Sequence, residues 1–330
     1  MKITFRKPLA LLASLACLAS MTVHAQGRAA FEVPGDIASR KVDIYSEGVR
    51  MSGTVFVPKS AKADGKLPCI VLAHGWGGTA AGAFGEAALF AQNGYFALAF
   101  DYRGWGTSDS RVILTQPAPA TKKDNRFTAE VQEIREVVEP IAMATDWQNA
   151  IHWLQGESQC DTSRIGLWGT SFSGGLVAYV AARDHRVKAV FSQIGAFDGR
   201  PWGQTPEMYR EATQRARGEL GYPTPRVVFR YQHRGAERTL NGWPIASQFA
   251  EYAPVEEIKR MGDIPMMIVI AEHEELFDNA DHGTKAFERH VGPDKQIVTL
   301  PGITHYGAYG PARPEAQRLA LSWFGKYLKP

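Results

Sequence analysis

The chain is poor in cysteine, carries no net excess of one charge once its first residues are set aside, and has no long apolar run beyond its start. Three cysteines in 330 residues are too few for a disulfide framework. One of them, Cys17, lies in the opening segment, which leaves Cys69 and Cys160. Basic residues number 37 against 34 acidic, and Lys2, Arg6 and Lys7 account for the excess. With those removed no basic stripe is left, which argues against nucleic acid or an anionic membrane surface as partner. Internal repeats and low-complexity tracts are lacking too, so nothing suggests a solenoid or a disordered linker.

What is present begins with a leader. A basic start, an apolar run from Pro8 to Val23 and the ending Val23-His-Ala25 have the form of a secretory signal peptide, with cleavage expected after Ala25. Ser14, Ser20 and Thr22 interrupt the run, which suits a signal better than a permanent anchor. Lipid attachment at Cys17 is disfavoured, because Ser14 stands where a leucine would be wanted. The expected mature protein is residues 26–330, periplasmic or secreted, with no span after the leader is removed. That length suits one large domain with an insertion.

Along the mature chain, short apolar runs alternate with helical patterns. Val42–Ser46 and Met51–Pro58 read as half-buried strands around a Glu47-Gly48 turn. Leu67–His74 and Tyr95–Tyr102 are continuously apolar, the signature of strands covered on both faces. A helical segment spans Phe84–Gln92, and a polar loop from Asp109 to Arg126 leads to a helical region broken at Pro140 and resumed over Asp146–Gln155. Val187–Ile194, Ile264–Ala271 and Gln296–Leu300 continue the strand series, with helices over Thr284–His290 and Pro314–Leu328. Alternation of this kind implies a mostly parallel sheet with helices on both faces. It lapses between about residues 200 and 260, where Trp202, Trp243 and many arginines lie; this stretch reads as an insertion capping the site.

The central stretch is Arg164-Ile-Gly-Leu-Trp-Gly-Thr-Ser-Phe-Ser-Gly-Gly175: an apolar strand, an abrupt turn, then a helix of small residues. A strand–G-x-S–helix sequence is the context of a nucleophile elbow, which lifts one serine hydroxyl above the carboxyl end of a sheet. Ser171 is that serine. Gly169 keeps one side of the turn small, and on the other side Ser173 stands where glycine is usual.

A serine hydroxyl is a weak nucleophile near neutral pH and needs a base oriented by an acid. In this arrangement the order is serine, acid, histidine. Among His185, His233, His273, His282, His290 and His305, only His305 sits in a loop just past a late strand. His282 and His290 fall in or beside a helix and read as solvated. The acid should follow the preceding strand, where Glu272, Glu274, Glu275 and Asp278 cluster. Glu274 is favoured, with Glu275 expected to face solvent and Asp278 to cap the next helix. Two backbone N–H donors should hold an oxyanion, from Phe172 after the serine and from Trp76 in the His74-Gly-Trp-Gly-Gly78 turn. The glycines there let backbone approach a substrate, and no phosphate-cradling lysine follows them. His273, Asp278, Asp281 and His282 are metal-ligand types without metal-ligand spacing. Neither metal nor cofactor is expected.

Taken together, Ala73–Gly78, Asp101-Tyr-Arg-Gly-Trp-Gly-Thr-Ser108, Arg164–Gly175, Ala271–Glu274 and Gly302–His305 resemble the alpha/beta-hydrolase superfamily. More narrowly they are similar to its dienelactone-hydrolase-like and X-prolyl-peptidase-like serine hydrolases, over roughly residues 40–330. The resemblance implies an α/β fold whose mostly parallel sheet has about eight strands, with helices on both faces and a cap insertion. It also implies a Ser171–Glu274–His305 triad with Trp76 and Phe172 at the oxyanion hole. Glutamate stands where relatives often carry aspartate. Dienelactone hydrolases use a cysteine nucleophile, and the aspartate-nucleophile dehalogenases and epoxide hydrolases are argued against by Ser171. In such a fold Cys69 and Cys160 enter neighbouring strands. Counting back about seven residues from Trp76 and about eleven from Ser171 sets them at different heights, which argues against a bridge.

The expected activity is a serine hydrolase cleaving a small-molecule carboxylic ester through an acyl-enzyme on Ser171. Two alternatives stand beside it: an X-prolyl-type peptidase or amidase with the same triad, and a non-catalytic binding protein of the same fold. The peptidase would need an acidic clamp for a free amino group, for which Glu207 and Glu211 are candidates. Trp76, Trp105, Trp202 and Trp243 could line a substrate pocket or belong to the core.

Overall fold

In the computed structural model, residues 31–223 and 228–329 are described; the expected leader, its cleavage point and Cys17 lie outside them. The chain opens with a hairpin of β1 (Ile37–Ser46) and β2 (Val49–Pro58). Glu47 and Gly48 both take positive φ, 49° and 82°, the backbone of a tight two-residue turn. β3 (Leu67–Ala73), α1 (Phe84–Gln92) and β4 (Phe96–Phe100) follow. An excursion through β5 (Val112–Leu114), β6 (Val131–Glu133) and β7 (Val137–Val138) leads into α2 (Pro140–Gln155). The expectation that Pro140 breaks a helix is therefore corrected. Proline begins α2, where its missing N–H and fixed φ cost nothing, and what precedes it is extended.

β8 (Cys160–Thr170), α3 (Phe172–Ala181) and β9 (Val187–Gln193) form the centre. Between β9 and the next sheet strand lie α4 (Arg200–Gly203), α5 (Pro206–Ala216), the hairpin β10 (Val228–His233) and β11 (Ala236–Asn241), β12 (Trp243–Pro244), α6 (Ala246–Glu251) and α7 (Pro254–Glu257). β13 (Met266–Ala271), α8 (Lys285–Arg289), β14 (Lys295–Leu300) and α9 (Arg313–Leu328) complete the chain.

Eight strands make one sheet in the order β1-β2-β4-β3-β8-β9-β13-β14. β1 and β2 are antiparallel, and from β4 to β14 every pairing is parallel. The fold is thus the α/β architecture expected. Successive residues of the buried strands serve opposite faces: Val71, Leu98 and Leu167 pack toward α2 and α3, while Ile70, Leu72, Ala97 and Trp168 pack toward α1 and α9. Coverage on both faces explains why these strands read as unbroken apolar runs. Among the described residues no helix is long and apolar enough to cross a membrane.

One expectation fails here. Cys69 and Cys160 form a disulfide, with Cα atoms 5.8 Å apart. Counting residues at equal rise misplaced them because β8 is irregular. Leu67 pairs with Cys160 and Pro68 with Asp161, after which Cys69 pairs with Ile165. Asp161 sets this jog locally, accepting from Ser163 N at 3.0 Å, Ser163 Oγ at 2.6 Å and Arg164 Nε at 2.7 Å. Such side-chain-to-backbone bonds compete with the ladder and return Cys160 to the level of the start of β3.

Candidate active site

Ser171 stands between β8 and α3 with φ 55° and ψ −123°, a strained conformation for a residue with a side chain. The turn exists because its neighbours lack bulk: a Cβ on Gly169 would sit 2.2 Å from Ser173 O, and one on Gly75 would sit 2.7 Å from Ser171 Cβ. Gly75 therefore brings the His74–Gly78 loop directly against the serine. Ser173, in place of the usual glycine, is buried, and its Oγ lies 2.9 Å from Tyr102 OH, which accepts from Trp147 Nε1 at 2.9 Å. The hydroxyl thus ties the elbow to the strand–loop motif that follows β4.

The structure brings Ser171, His305 and Glu274 together. His305 Nε2 lies 3.0 Å from Ser171 Oγ, and its Nδ1 lies 2.9 and 2.8 Å from the two carboxylate oxygens of Glu274. An ionised carboxylate only accepts, so Nδ1 carries the proton and Nε2 is left to accept from the serine. His305 and Glu274 are both almost wholly buried, at 1% and 2% exposure, where such bonds are strong. Leu276 N donates to Glu274 Oε1 at 3.0 Å and fixes the carboxylate further.

The remaining acids depart from expectation. Glu275 does not face solvent; its Oε2 accepts from His305 N at 2.5 Å. Glu272 Oε2 accepts from Gly302 N at 2.7 Å. The acidic cluster is therefore a set of ties between the loop after β13 and the loop after β14. Asp278 is not a helix cap either: Asn279 takes that position without a side-chain bond, and the Asp278 carboxylate pairs with Arg234. His282 and His290 are buried, not solvated. His282 Nδ1 accepts from Phe197 N at 2.9 Å and His290 Nδ1 from Gly292 N at 2.9 Å, so backbone N–H groups take the place of water. Burial pulls His282 down to about 4, against the opposing pull of Asp198. Among the described residues no group of three or more His, Cys, Asp or Glu is placed to hold a metal.

Trp76 and Phe172 flank the serine. Phe172 opens α3, so its N–H has no intrahelical acceptor. Trp76 occupies a turn closed by Gly78 N to Gly75 O at 3.1 Å, with Gly77 at φ 74°, and its own N–H lies outside that bond. The loop is braced from below: Asp101 accepts from Ala80 N at 2.6 Å and Thr107 N at 3.0 Å. The β10–β11 hairpin reaches over it. Phe229 stacks on Trp76 with centroids 5.6 Å apart, Tyr231 stacks on Phe229, and Tyr231 OH donates to Leu276 O at 3.1 Å. Arg234, at the hairpin tip, donates to Glu274 O at 3.3 Å.

A cleft of about 660 Å³ opens beside this arrangement, walled by Trp202, Met208, Phe229, Tyr231 and Phe277. It abuts the site through Phe277, whose ring meets His305 edge-on at 5.7 Å, and through Trp202, 6.2 Å from Trp76. Trp105 is instead a core residue, donating to Val137 O. Trp243 donates to Glu211 at 2.6 Å, and Arg215 takes the same carboxylate; Glu207 lies at the cleft, paired with Arg210. Sequence reading named Glu275 but assigned it to solvent, and it gave Phe277 no role at the site. Their only signal was adjacency to Glu274.

A parallel sheet, a strained serine at a strand–helix junction and a histidine–carboxylate pair on the later loops define an alpha/beta hydrolase. The chain belongs to this superfamily and, within it, to the X-Pro dipeptidyl-peptidase (S15) family, whose model matches residues 47–211, half of the chain. The C-terminal model of BAAT and acyl-CoA thioester hydrolases also matches, over residues 146–293. An uncharacterized 31.7 kDa Escherichia coli protein from the traX-finO intergenic region is 26% identical, covering 86% of this chain and 97% of its own. The quorum-quenching protein AidA of Acinetobacter baumannii is 34% identical over 48% of this chain and 44% of its own. The solved structure of hypothetical protein PA2218 from Pseudomonas aeruginosa superposes with a TM-score of 0.70 at 20% identity, covering 91% of this chain and 96% of that one.

Proposed function

We propose that this hydrolase is a serine esterase of the periplasm or the extracellular space, cleaving a small-molecule carboxylic ester through an acyl-enzyme on Ser171. The observation that supports it most is the unbroken hydrogen-bond chain from Glu274 through His305 to Ser171 Oγ. In acylation Ser171 Oγ attacks the ester carbonyl while its proton passes to His305 Nε2. Glu274 holds the imidazole and balances the cation that forms. The Trp76 and Phe172 N–H groups receive the oxyanion. His305 then hands its proton to the departing alcohol, and water repeats the sequence to release the acid. The aromatic walls of the cleft favour an apolar or aromatic substituent on one side of the ester.

The family model favours a second reading, cleavage of an X-prolyl peptide by the same three residues. Such a substrate needs a carboxylate free to meet its amino group. Glu211 is engaged by Trp243 and Arg215, and Glu207 only by an exposed pair with Arg210, which makes Glu207 the better candidate. Comparing p-nitrophenyl acetate with Ala-Pro-p-nitroanilide separates the two. Ester turnover is expected, falling on the order of 10⁶-fold in Ser171→Ala; turnover within tenfold of the parent would remove Ser171 from the mechanism. The Cys69–Cys160 disulfide supports an oxidising compartment. A mature protein beginning at Gln26, read by mass spectrometry, is the expected outcome for the leader.

A further inference from the structure

His282 is buried, lines the aromatic cleft and has no part in the proposed chemistry. It sits in a single π-helical turn, Ala280–Thr284, where Thr284 N donates to Asn279 O at 2.9 Å. Such turns are rare and gather at functional sites. Gly283 lets this one rest directly on β13, since a Cβ there would lie 2.5 Å from Ile270 Cγ2. The sheet therefore sets the height of the His282 ring.

Which ring nitrogen carries the proton follows from its partners. Phe197 N and Asp198 N both point at Nδ1, at 2.9 and 3.3 Å. A backbone N–H only donates, so Nδ1 accepts and the proton of the neutral ring is on Nε2. No acceptor for that proton stands among the described residues. The Nδ1 edge faces this backbone, and Phe277 and Trp202 lie against the ring, with centroids 4.5 and 5.8 Å away. What is left toward the cleft is the edge that bears Nε2. His233 on the same wall differs, because its Nε2 is enclosed, 3.8 Å from Asp278 Oδ1. Charges along the wall are answered within the protein: Asp198 by Arg200, Asp278 by Arg234, Asp281 by Lys285 and Arg230 by Glu237. The cleft thus offers apolar rings and, at His282, a neutral donor without a partner.

We propose that His282 is a specificity-determining residue, whose Nε2–H donates to an oxygen on the acyl chain of an uncharged, largely apolar ester. This rests on the esterase reading and narrows it to acyl groups that bear a carbonyl or ether oxygen. Phe277 supplies the spacing, since its ring meets both His305 and His282. The recognised oxygen therefore lies past Phe277, several atoms from the scissile carbonyl. A plain alkyl chain in the same place would bury the donor unpaired, and that loss, more than shape, discriminates. A charged acyl group finds no free counter-ion at this end of the cleft, because the ionised groups of the wall already hold one another.

The test compares p-nitrophenyl octanoate with its 5-, 6- and 7-oxo counterparts on the full mature protein, each corrected for spontaneous hydrolysis. The parent is expected to favour at least one oxo ester about tenfold in kcat/KM, the scale of one neutral hydrogen bond. His282→Asn keeps an acceptor near the Nδ1 position and withdraws the donor from the cleft, so the preference should shrink to within about twofold. A parent that turns over octanoate with no oxo preference, or a preference that survives in His282→Asn, overturns the proposal and leaves the Ser171 reading intact. A second arm needs neither turnover nor a His282 variant. In Ser171→Ala carrying ¹⁵N-labelled histidine, the His282 proton is expected on Nε2, and the methyl esters of the same oxo acids should shift that signal while methyl octanoate does not. A proton on Nδ1, or a signal that none of the oxo esters moves, overturns the proposal even if His282→Asn fails to fold. A parent inert toward every ester removes the esterase reading, and the binding arm still decides whether His282 holds the oxygen.

Discussion

Glu274, Glu275 and Asp278 lie within five positions of one another and do three different things, which backbone direction decides. Glu274 turns inward to the His305 ring, Glu275 grips the His305 backbone, and Asp278 reaches outward to Arg234. Glu274→Ala is expected to lower kcat on the order of 10⁴-fold, because the imidazole loses both its tautomer and its counter-charge. Asp278→Ala should retain most turnover and lose no more than about 1 kcal/mol, since its pair with Arg234 is partly exposed on both sides. Steady-state kinetics and urea melts of the two variants check the contrast; a dead Asp278→Ala beside a live Glu274→Ala reverses the assignment. The buried His282 allows a pH prediction. Its folded value of about 4 lies below the ordinary 6.5, so the unfolded chain binds more protons between those limits. Stability from this group is full above about pH 6.5 and is lost as pH falls toward 4, by about 3 kcal/mol. His282→Asn keeps an acceptor for Phe197 N without titrating. Chemical melts at pH 7 and pH 4.5 should show a smaller acid loss in that variant than in the parent.

The β10–β11 hairpin is the element that joins the two halves of the site. Phe229 covers Trp76 on the loop after β3, and Tyr231 and Arg234 hold the loop after β13. Helices α4 and α5 bring Trp202 and Met208 to the same cleft. On the proposal that residues 200–260 form a specificity cap, Trp202→Ala should enlarge the acyl side of the cleft. The ratio of kcat/KM for hexanoyl over acetyl p-nitrophenyl esters is then expected to rise about tenfold, since each methylene in a fitted pocket is worth roughly 1–3 kcal/mol. A fall in melting temperature with an unchanged ratio would make Trp202 a packing residue only.

At the scale of the whole molecule, the Cys69–Cys160 bridge closes a segment of 91 residues that contains β4, α2 and the excursion between them. Chain-entropy arguments assign a loop of that size roughly 4–5 kcal/mol. Cys160→Ser is expected to lower the unfolding free energy by an amount of that order, measured by denaturant titration, and to leave kcat nearly unchanged. The bridge lies at the amino ends of β3 and β8, whereas Ser171 follows the carboxyl end of β8. A loss of activity without a loss of stability would contradict this separation.

The sheet was legible in the sequence because strands buried on both faces leave no room for polar residues, and the elbow because Gly169 and Gly75 answer a steric demand that no other residue meets. His305 and Glu274 were legible from their places after late strands. The cysteine bridge was not, because three residues of β8 set aside by Asp161 shift its register, and residue counting assumes an even rise. The buried states of His282 and His290 were also hidden, since their acceptors serve backbone N–H groups distant in sequence or within a turn. Local chemistry determined which residues could form the site. Only the packing of the loops decided where each hydroxyl, carboxylate and ring nitrogen points, since direction depends on partners that lie far away along the chain.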